Sequence, residues 1–167
     1  MMNDWLAELI ARHSRQGVLV DANMMLLWFV GAFDRALIAK FKRTDTYTGE
    51  DFDLLVAFLS RFSRILTTPN ILTEVSNLSS QLTGRMKLDY FGQFRERLEL
   101  VEERYLPSSS IADRNEFARF GLTDSGIVEL AETGVLVATD DFSLASLLES
   151  RGFDVLNFNH IRPYNWT

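Results

Sequence analysis

The stretch Val18-Leu19-Val20-Asp21-Ala22-Asn23 constrains this chain more than any other. Three apolar residues end abruptly in a carboxylate, and a second apolar run, Met24 to Val30, follows an amide. Side chains of a strand alternate between its faces, so an unbroken apolar run such as Val18 to Val20 suits a parallel strand buried on both sides. The longer run after it suits a helix. Asp21 then stands at the carboxyl end of a strand and the amino end of a helix. In open α/β sheets that edge is where ligands bind. A carboxylate there also serves simply as a helix N-cap. Whether other acids occupy equivalent places decides between the two readings.

The rest of the chain repeats the alternation. The spacing predicts helices over residues 3–15 and 22–39, the second burying Leu26, Leu27, Val30, Phe33 and Leu37. A polar loop with a basic start, Lys40 to Gly49, leads into Thr48-Gly49-Glu50-Asp51. This matches a capping box and opens a helix to about Phe62, with Phe52, Leu55, Val56 and Leu59 as its apolar face. Ile65 to Thr68 reads as a second strand, and Pro69 takes the first helical position behind a Thr68 cap. Residues 84–104 read as a solvated charged helix, and Ser108 to Asn115 as a loop or short turn. A helix opens at Gly121 to Ser125 and stops at Gly134. Val135 to Ala138 is a strand ending in Thr139-Asp140-Asp141. A helix follows, and Asp154 to Phe158 is the last strand. Alternating strands and helices predict βαβ crossovers and a mainly parallel sheet, hence an α/β fold. A length of 167 residues fits a single domain over 1–167.

Acids recur after the strands. Asp21 follows one strand directly, Glu74 lies in the helix after the second, Asp124 opens a later helix, and Asp140 and Asp141 follow another strand. In a parallel sheet these loops share one edge. Carboxylates converging there repel one another unless cations offset them. An all-oxygen donor set suits Mg²⁺ or Mn²⁺, which can activate water and steady the charge on a phosphodiester. Glu74 also reads as a plain exposed helix residue.

Composition removes other chemistries. The chain has no cysteine, which excludes a disulfide framework and a thiolate zinc site and fits a cytoplasmic protein. The longest uncharged apolar stretch begins at Met24 and is broken by Asp34, too short to span a bilayer, and no membrane partner is expected. The first residues read as an amphipathic helix rather than a signal peptide. A net charge of −6 argues against a broad non-specific nucleic-acid surface. There is no Gly-x-Ser-x-Gly elbow, no glycine-rich phosphate loop and no EF-hand spacing around Gly49. His13 and His160 read as surface or packing residues, and Trp5, Trp28 and Trp166 as core or interface residues.

Four segments, taken together, resemble the PIN domains, a family of metal-dependent nucleases: Val18-Leu19-Val20-Asp21-Ala22-Asn23, Thr73-Glu74-Val75, Leu122-Thr123-Asp124-Ser125 and Ala138-Thr139-Asp140-Asp141-Phe142. They run from residue 17 to about 158. The resemblance implies a three-layer α/β/α sandwich with an acidic pocket. It implies that Asp21, Glu74, Asp124 and the Thr139-Asp140-Asp141 turn hold Mg²⁺ or Mn²⁺, with Asn23 and Thr139 as supporting groups. Asp141 fits the family's threonine-any-aspartate pattern better than Asp140, and either serves as ligand. The implied activity is hydrolysis of RNA by a metal-dependent endoribonuclease, as in toxins of toxin–antitoxin pairs, with an antitoxin protein and a homodimer as partners. The region 38–64 departs from the small toxin members by an added helical part and the cluster Lys40, Lys42 and Arg43. That cluster reads either as a phosphate grip or as a solvated loop. The alternative function is a catalytically weak or inactive scaffold that keeps the fold and holds a partner. A response-regulator receiver is a third choice, disfavoured because no lysine follows the late strands.

Overall fold

A computed structural model describes residues 2–163. Its elements in chain order are α1 (Met2–His13), β1 (Val18–Val20), α2 (Ala22–Phe33), α3 (Gly49–Leu59), β2 (Ile65–Thr67), α4 (Pro69–Ser79), α5 (Gly84–Arg97), β3 (Glu102–Glu103), α6 (Ser108–Ala112), α7 (Phe117–Ala131), β4 (Leu136–Thr139), α8 (Phe142–Ser150) and β5 (Val155–Asn157). Short 3₁₀ turns occupy Arg35–Leu37, Leu98–Leu100 and Phe158–His160.

The strands form one sheet in the order β3-β2-β1-β4-β5, and every pairing is parallel. The chain steps outward from β1 to β3, returns to β4 beside β1, and steps outward the other way to β5. Right-handed crossovers in opposite directions put their helices on opposite faces, as a three-layer α/β/α fold requires. The reversal makes the gap between β1 and β4 a topological switch point, where such sheets open a crevice at their carboxyl ends. Val18, Leu19 and Val20 are wholly buried there, with Leu136, Val137 and Ala138 in register beside them. Gly17 enters β1 with φ +103°, and a Cβ at this position would meet the Arg64 carbonyl oxygen at 2.7 Å. Only glycine fits so close an approach.

Local signals placed most elements. Thr48 and Asp51 form the reciprocal capping box of α3, and Thr68 caps α4 with Pro69 behind it. Where the structure departs from expectation, the cause is local. The helix expected over 22–39 stops at Phe33, because Asp34 turns to φ −155° and its carboxylate accepts from the Ala36 amide, starting a separate turn. The helix expected to reach Phe62 ends at Leu59, and Val56 is exposed rather than part of its apolar face. The charged helix expected to 104 ends at Arg97, and Glu102–Glu103 pair with β2 as an edge strand. Ser108–Ala112 is a short helix rather than a loop. A helix opens at Gly121 as expected, since its φ of 78° interrupts the helical run; the departure is a further helical stretch before it, from Phe117. Trp28 is in the core, Trp5 lies on an exposed face, and Trp166 lies outside the described residues.

Around α2 the core is aromatic. Phe29 packs edge-on against Phe94 at 4.9 Å between ring centres, and Phe33 against Tyr90 at 5.6 Å. The buried Tyr90 hydroxyl shares a 2.7 Å hydrogen bond with Ser79. Among the described residues no helix is long and apolar enough to cross a membrane.

Candidate active site at the carboxyl edge of the sheet

Asp21 leaves β1 and caps α2, its Oδ1 accepting from the Met24 amide at 2.8 Å. Its Oδ2 accepts from the Thr139 hydroxyl and from the Asp140 amide, the latter at 3.2 Å. One oxygen of this carboxylate thus caps α2 while the other faces the end of β4. Asp21 is buried, and its pKa is pushed up to about 8, chiefly by burial and next by the charge of Asp140, against the lowering effect of its three donors.

Thr139 is the last residue of β4 and is fully buried. Its hydroxyl donates to Asp21 and accepts from the Asp141 amide at 3.0 Å, which ties the two strand ends together. The next two residues diverge. Asp140 turns toward Asp21, with Oδ1 accepting from Asn23 Nδ2 at 3.2 Å and Oδ2 from the Tyr47 hydroxyl. Its backbone carbonyl accepts from Asn159 Nδ2 at 2.8 Å. Asp141 is exposed and caps α8 with one oxygen, Oδ1, at 2.9 Å from the Leu144 amide.

Asp124 is half-buried on α7, and its pKa is pushed up to about 6 by burial, then by Asp141 and then by Glu74. Glu74 is exposed on α4, as the plain surface reading allowed, yet it faces the same group: its Oε1 accepts from Thr123 at 2.5 Å. The carboxylates thus form an inner pair, Asp21 and Asp140, and an outer set, Glu74, Asp124 and Asp141. None of the five forms an ion pair with any described residue.

The donor set is all oxygen, and the pKa values of Asp21 and Asp124 are raised, first by burial and then by neighbouring carboxylates. That chemistry fits a hard divalent cation. Among the described residues no three such side chains are already gathered tightly enough to cage an ion. Protein hydroxyls and amides meet their oxygens instead.

No hydrogen bond or ion pair joins Lys40, Lys42 or Arg43 to these acids among the described residues. Lys40, Lys42 and Arg43 are exposed, and Arg43 donates to Gln81 at 3.1 Å beyond the end of α4. The same region contributes Tyr47, which sequence reasoning missed. Tyr47 is buried, and its pKa is raised by burial and by Asp140. Its place immediately before the capping box is the one local signal, since a large apolar residue there commonly turns inward. Asn159 and Arg162 were also missed, both beyond the last strand. The Arg162 guanidinium lies 5.1 Å over the Tyr47 ring and pairs with buried Asp51 at 2.9 Å.

Neither a scan against protein-family models nor a search of curated proteins finds a match to this chain.

Proposed function

We propose that this protein is a Mg²⁺- or Mn²⁺-dependent endoribonuclease of the PIN type, cutting RNA phosphodiester bonds at the carboxyl edge of its sheet. The observation that carries this reading is the set Asp21, Glu74, Asp124, Asp140 and Asp141, spread over the ends of β1 and β4 and the facing helices, with no ion-pair partner among the described residues. Asp21, Glu74, Asp124, Asp140 and Asp141 would hold the cation. A bound Mg²⁺ or Mn²⁺ supplies positive charge at the scissile phosphate and eases deprotonation of the attacking water. Thr139 keeps Asp21 aimed at the edge, and Asn23 does the same for Asp140. The buried floor of Val20 and Ala138 beneath them keeps the local dielectric low and strengthens every charge interaction above it. An antitoxin partner, a homodimer and a cytoplasmic setting belong to this reading through the resemblance alone.

A second reading, a scaffold with little or no catalysis, is favoured by one observation: Tyr47, Asn23, Thr139 and Thr123 already donate to the acids. The deciding experiment is cleavage of a mixed single-stranded RNA pool by the purified protein with Mn²⁺, with Mg²⁺ and with EDTA, alongside Asp21→Asn. Cutting that needs metal and is lost in the variant is the expected result. No cutting, together with no Mn²⁺ binding at millimolar concentration by calorimetry, would favour the scaffold.

A further inference from the structure

The loop before α3 reaches across the chain to a single acid. Tyr47 lies 93 positions from Asp140 and donates its hydroxyl to Oδ2 of that carboxylate. Asn23 holds Oδ1, and Asn159 holds the backbone carbonyl. Asp140 is therefore gripped at three points and cannot swing about its side-chain bonds without losing a donor. An ionised carboxylate has about four acceptor sites, so two donors leave room for more at the same oxygens. What the donors settle is direction.

Tyr47 is itself held. Arg162 stacks on its ring, and Arg162 is anchored by two bonds to Asp51, 3.1 Å from Nε and 2.9 Å from Nη2, and by a third at 2.8 Å to the carbonyl of Thr46 beside the tyrosine. Asp51 is buried and belongs to the α3 capping box, so the brace is fixed to a helix end. A buried phenol needs some hydrogen-bond partner, and a purely structural role would be met by any acceptor. Here the acceptor is the one acid of the inner pair that does not cap a helix.

We infer that Tyr47, braced by Arg162, is a positioning residue of the acid site: its hydroxyl orients the Asp140 carboxylate and thereby sets how tightly the site takes a divalent cation. The inference rests on the metal reading above. It also gives the 38–64 region a role other than a phosphate grip, which is to shape the acid edge from outside the sheet. Hydrogen-bond partners that orient metal-ligating groups typically change metal affinity by about 10–100-fold when removed.

The test is calorimetric titration of MnCl₂ into the full-length protein, with Tyr47→Phe, Arg162→Lys and the exposed Tyr105→Phe as control. Tyr47→Phe keeps the ring under Arg162 and removes only the hydroxyl. The expected result is an Mn²⁺ Kd weakened by about 10-fold in Tyr47→Phe, a smaller loss in Arg162→Lys, and no change in Tyr105→Phe, with the Tm of Tyr47→Phe within a few degrees of wild type. An unchanged Kd with a lowered Tm would make Tyr47 structural only and overturn the inference. A tighter Kd would make the hydroxyl a competitor of the cation and overturn it as well. If Tyr47→Phe fails to fold, Arg162→Lys carries the same reading. Absence of Mn²⁺ binding in the wild type would overturn the metal reading and this inference with it. That failure appears before any variant is compared, so the two are distinguishable.

Discussion

At the amino-terminal edge of the sheet, Asp154 accepts from Arg12 and His13 at 2.8 and 2.7 Å, and Glu102 accepts from Arg64 at 2.5–2.6 Å. At the carboxyl-terminal edge, Asp21 and Asp140 face each other and receive only neutral donors. The consequence shows in their protons. Burial acts to raise Asp154, yet the hydrogen bonds from His13 and Arg12 outweigh it and hold the carboxyl below its ordinary value. Glu102 is lowered chiefly by its bond from Arg64. Asp21 and Asp124 move the other way, to about 8 and about 6. Carboxylates at one edge are met by charged partners, Asp154 by α1 and Glu102 by Arg64 before β2; those at the other are met by neutral donors and one another. A carboxyl raised by burial and by a neighbouring carboxylate in a crevice marks a candidate functional site.

The strongest test falls on the edge without charged partners. Asp21→Asn is expected to lower metal-dependent RNA cleavage by at least about 100-fold, measured with a labelled oligonucleotide at saturating Mn²⁺. The same change should raise Tm. A carboxyl whose folded pKa lies above its unfolded value favours folding at low pH and loses that contribution as pH rises toward the folded value. The gain of Asp21→Asn over wild type should therefore be near zero at about pH 4 and greatest above about pH 8. A variant that loses activity and also loses Tm at pH 8 would place Asp21 with the structural acids.

Next is the cation itself. Mn²⁺ at about 100 times its Kd stabilises a binding-competent fold by about 2.7 kcal/mol, or about 5–10 °C in Tm for a chain of this size. Protons compete with the ion for Asp21 and Asp124, so the shift should grow from about pH 5.5 to about pH 8. Asp124→Asn should shrink it. Differential scanning fluorimetry across this pH range reads both.

A smaller effect of opposite sign belongs to the other edge. Asp154→Ala removes the partner of His13, whose Nδ1 is already buried without a hydrogen bond, and should cost about 1 kcal/mol, limited by solvent on Asp154. Because the folded pKa of Asp154 is depressed, its contribution is present above the ordinary carboxylate range and fades as pH falls through the folded value. The Tm difference should thus close on acidification, where that of Asp21→Asn also closes from the opposite side. The smallest effect is Glu102→Gln, whose exposed pair with Arg64 should change Tm by no more than about 1 °C and less in high salt.

Part of the acid edge was legible because some of its acids announce themselves locally. Asp21 directly follows an apolar run and Asp140 follows one by a single threonine, and a parallel sheet puts the ends of such runs on one side. Asp124 and Glu74 were legible only as members of the set; the plain surface reading of Glu74 was correct about exposure, and its bond from Thr123 could not be read from spacing. Tyr47, Asn159 and Arg162 were not legible as site residues. Their partners lie tens of positions away, and no helical or strand period connects them. The basic triplet Lys40, Lys42 and Arg43 drew attention by composition, yet the neighbour that reaches the acids is the aromatic four residues beyond it.

Features whose energetics act within a few residues could be read from the chain alone: the buried strand cores, the Thr48 and Thr68 caps, the stop at Gly134, and the acids at strand ends. Capping, turn chemistry and side-chain period all work over one or two turns of chain, so they survive without tertiary context. The tertiary structure alone decided the strand order, with its reversal between β1 and β4, the recruitment of Glu102–Glu103 as an edge strand, and the separation of Asp140 from Asp141 into two groups of acids. These depend on packing between segments far apart in the chain, where burial of apolar surface sets the arrangement and carries no local period in the sequence.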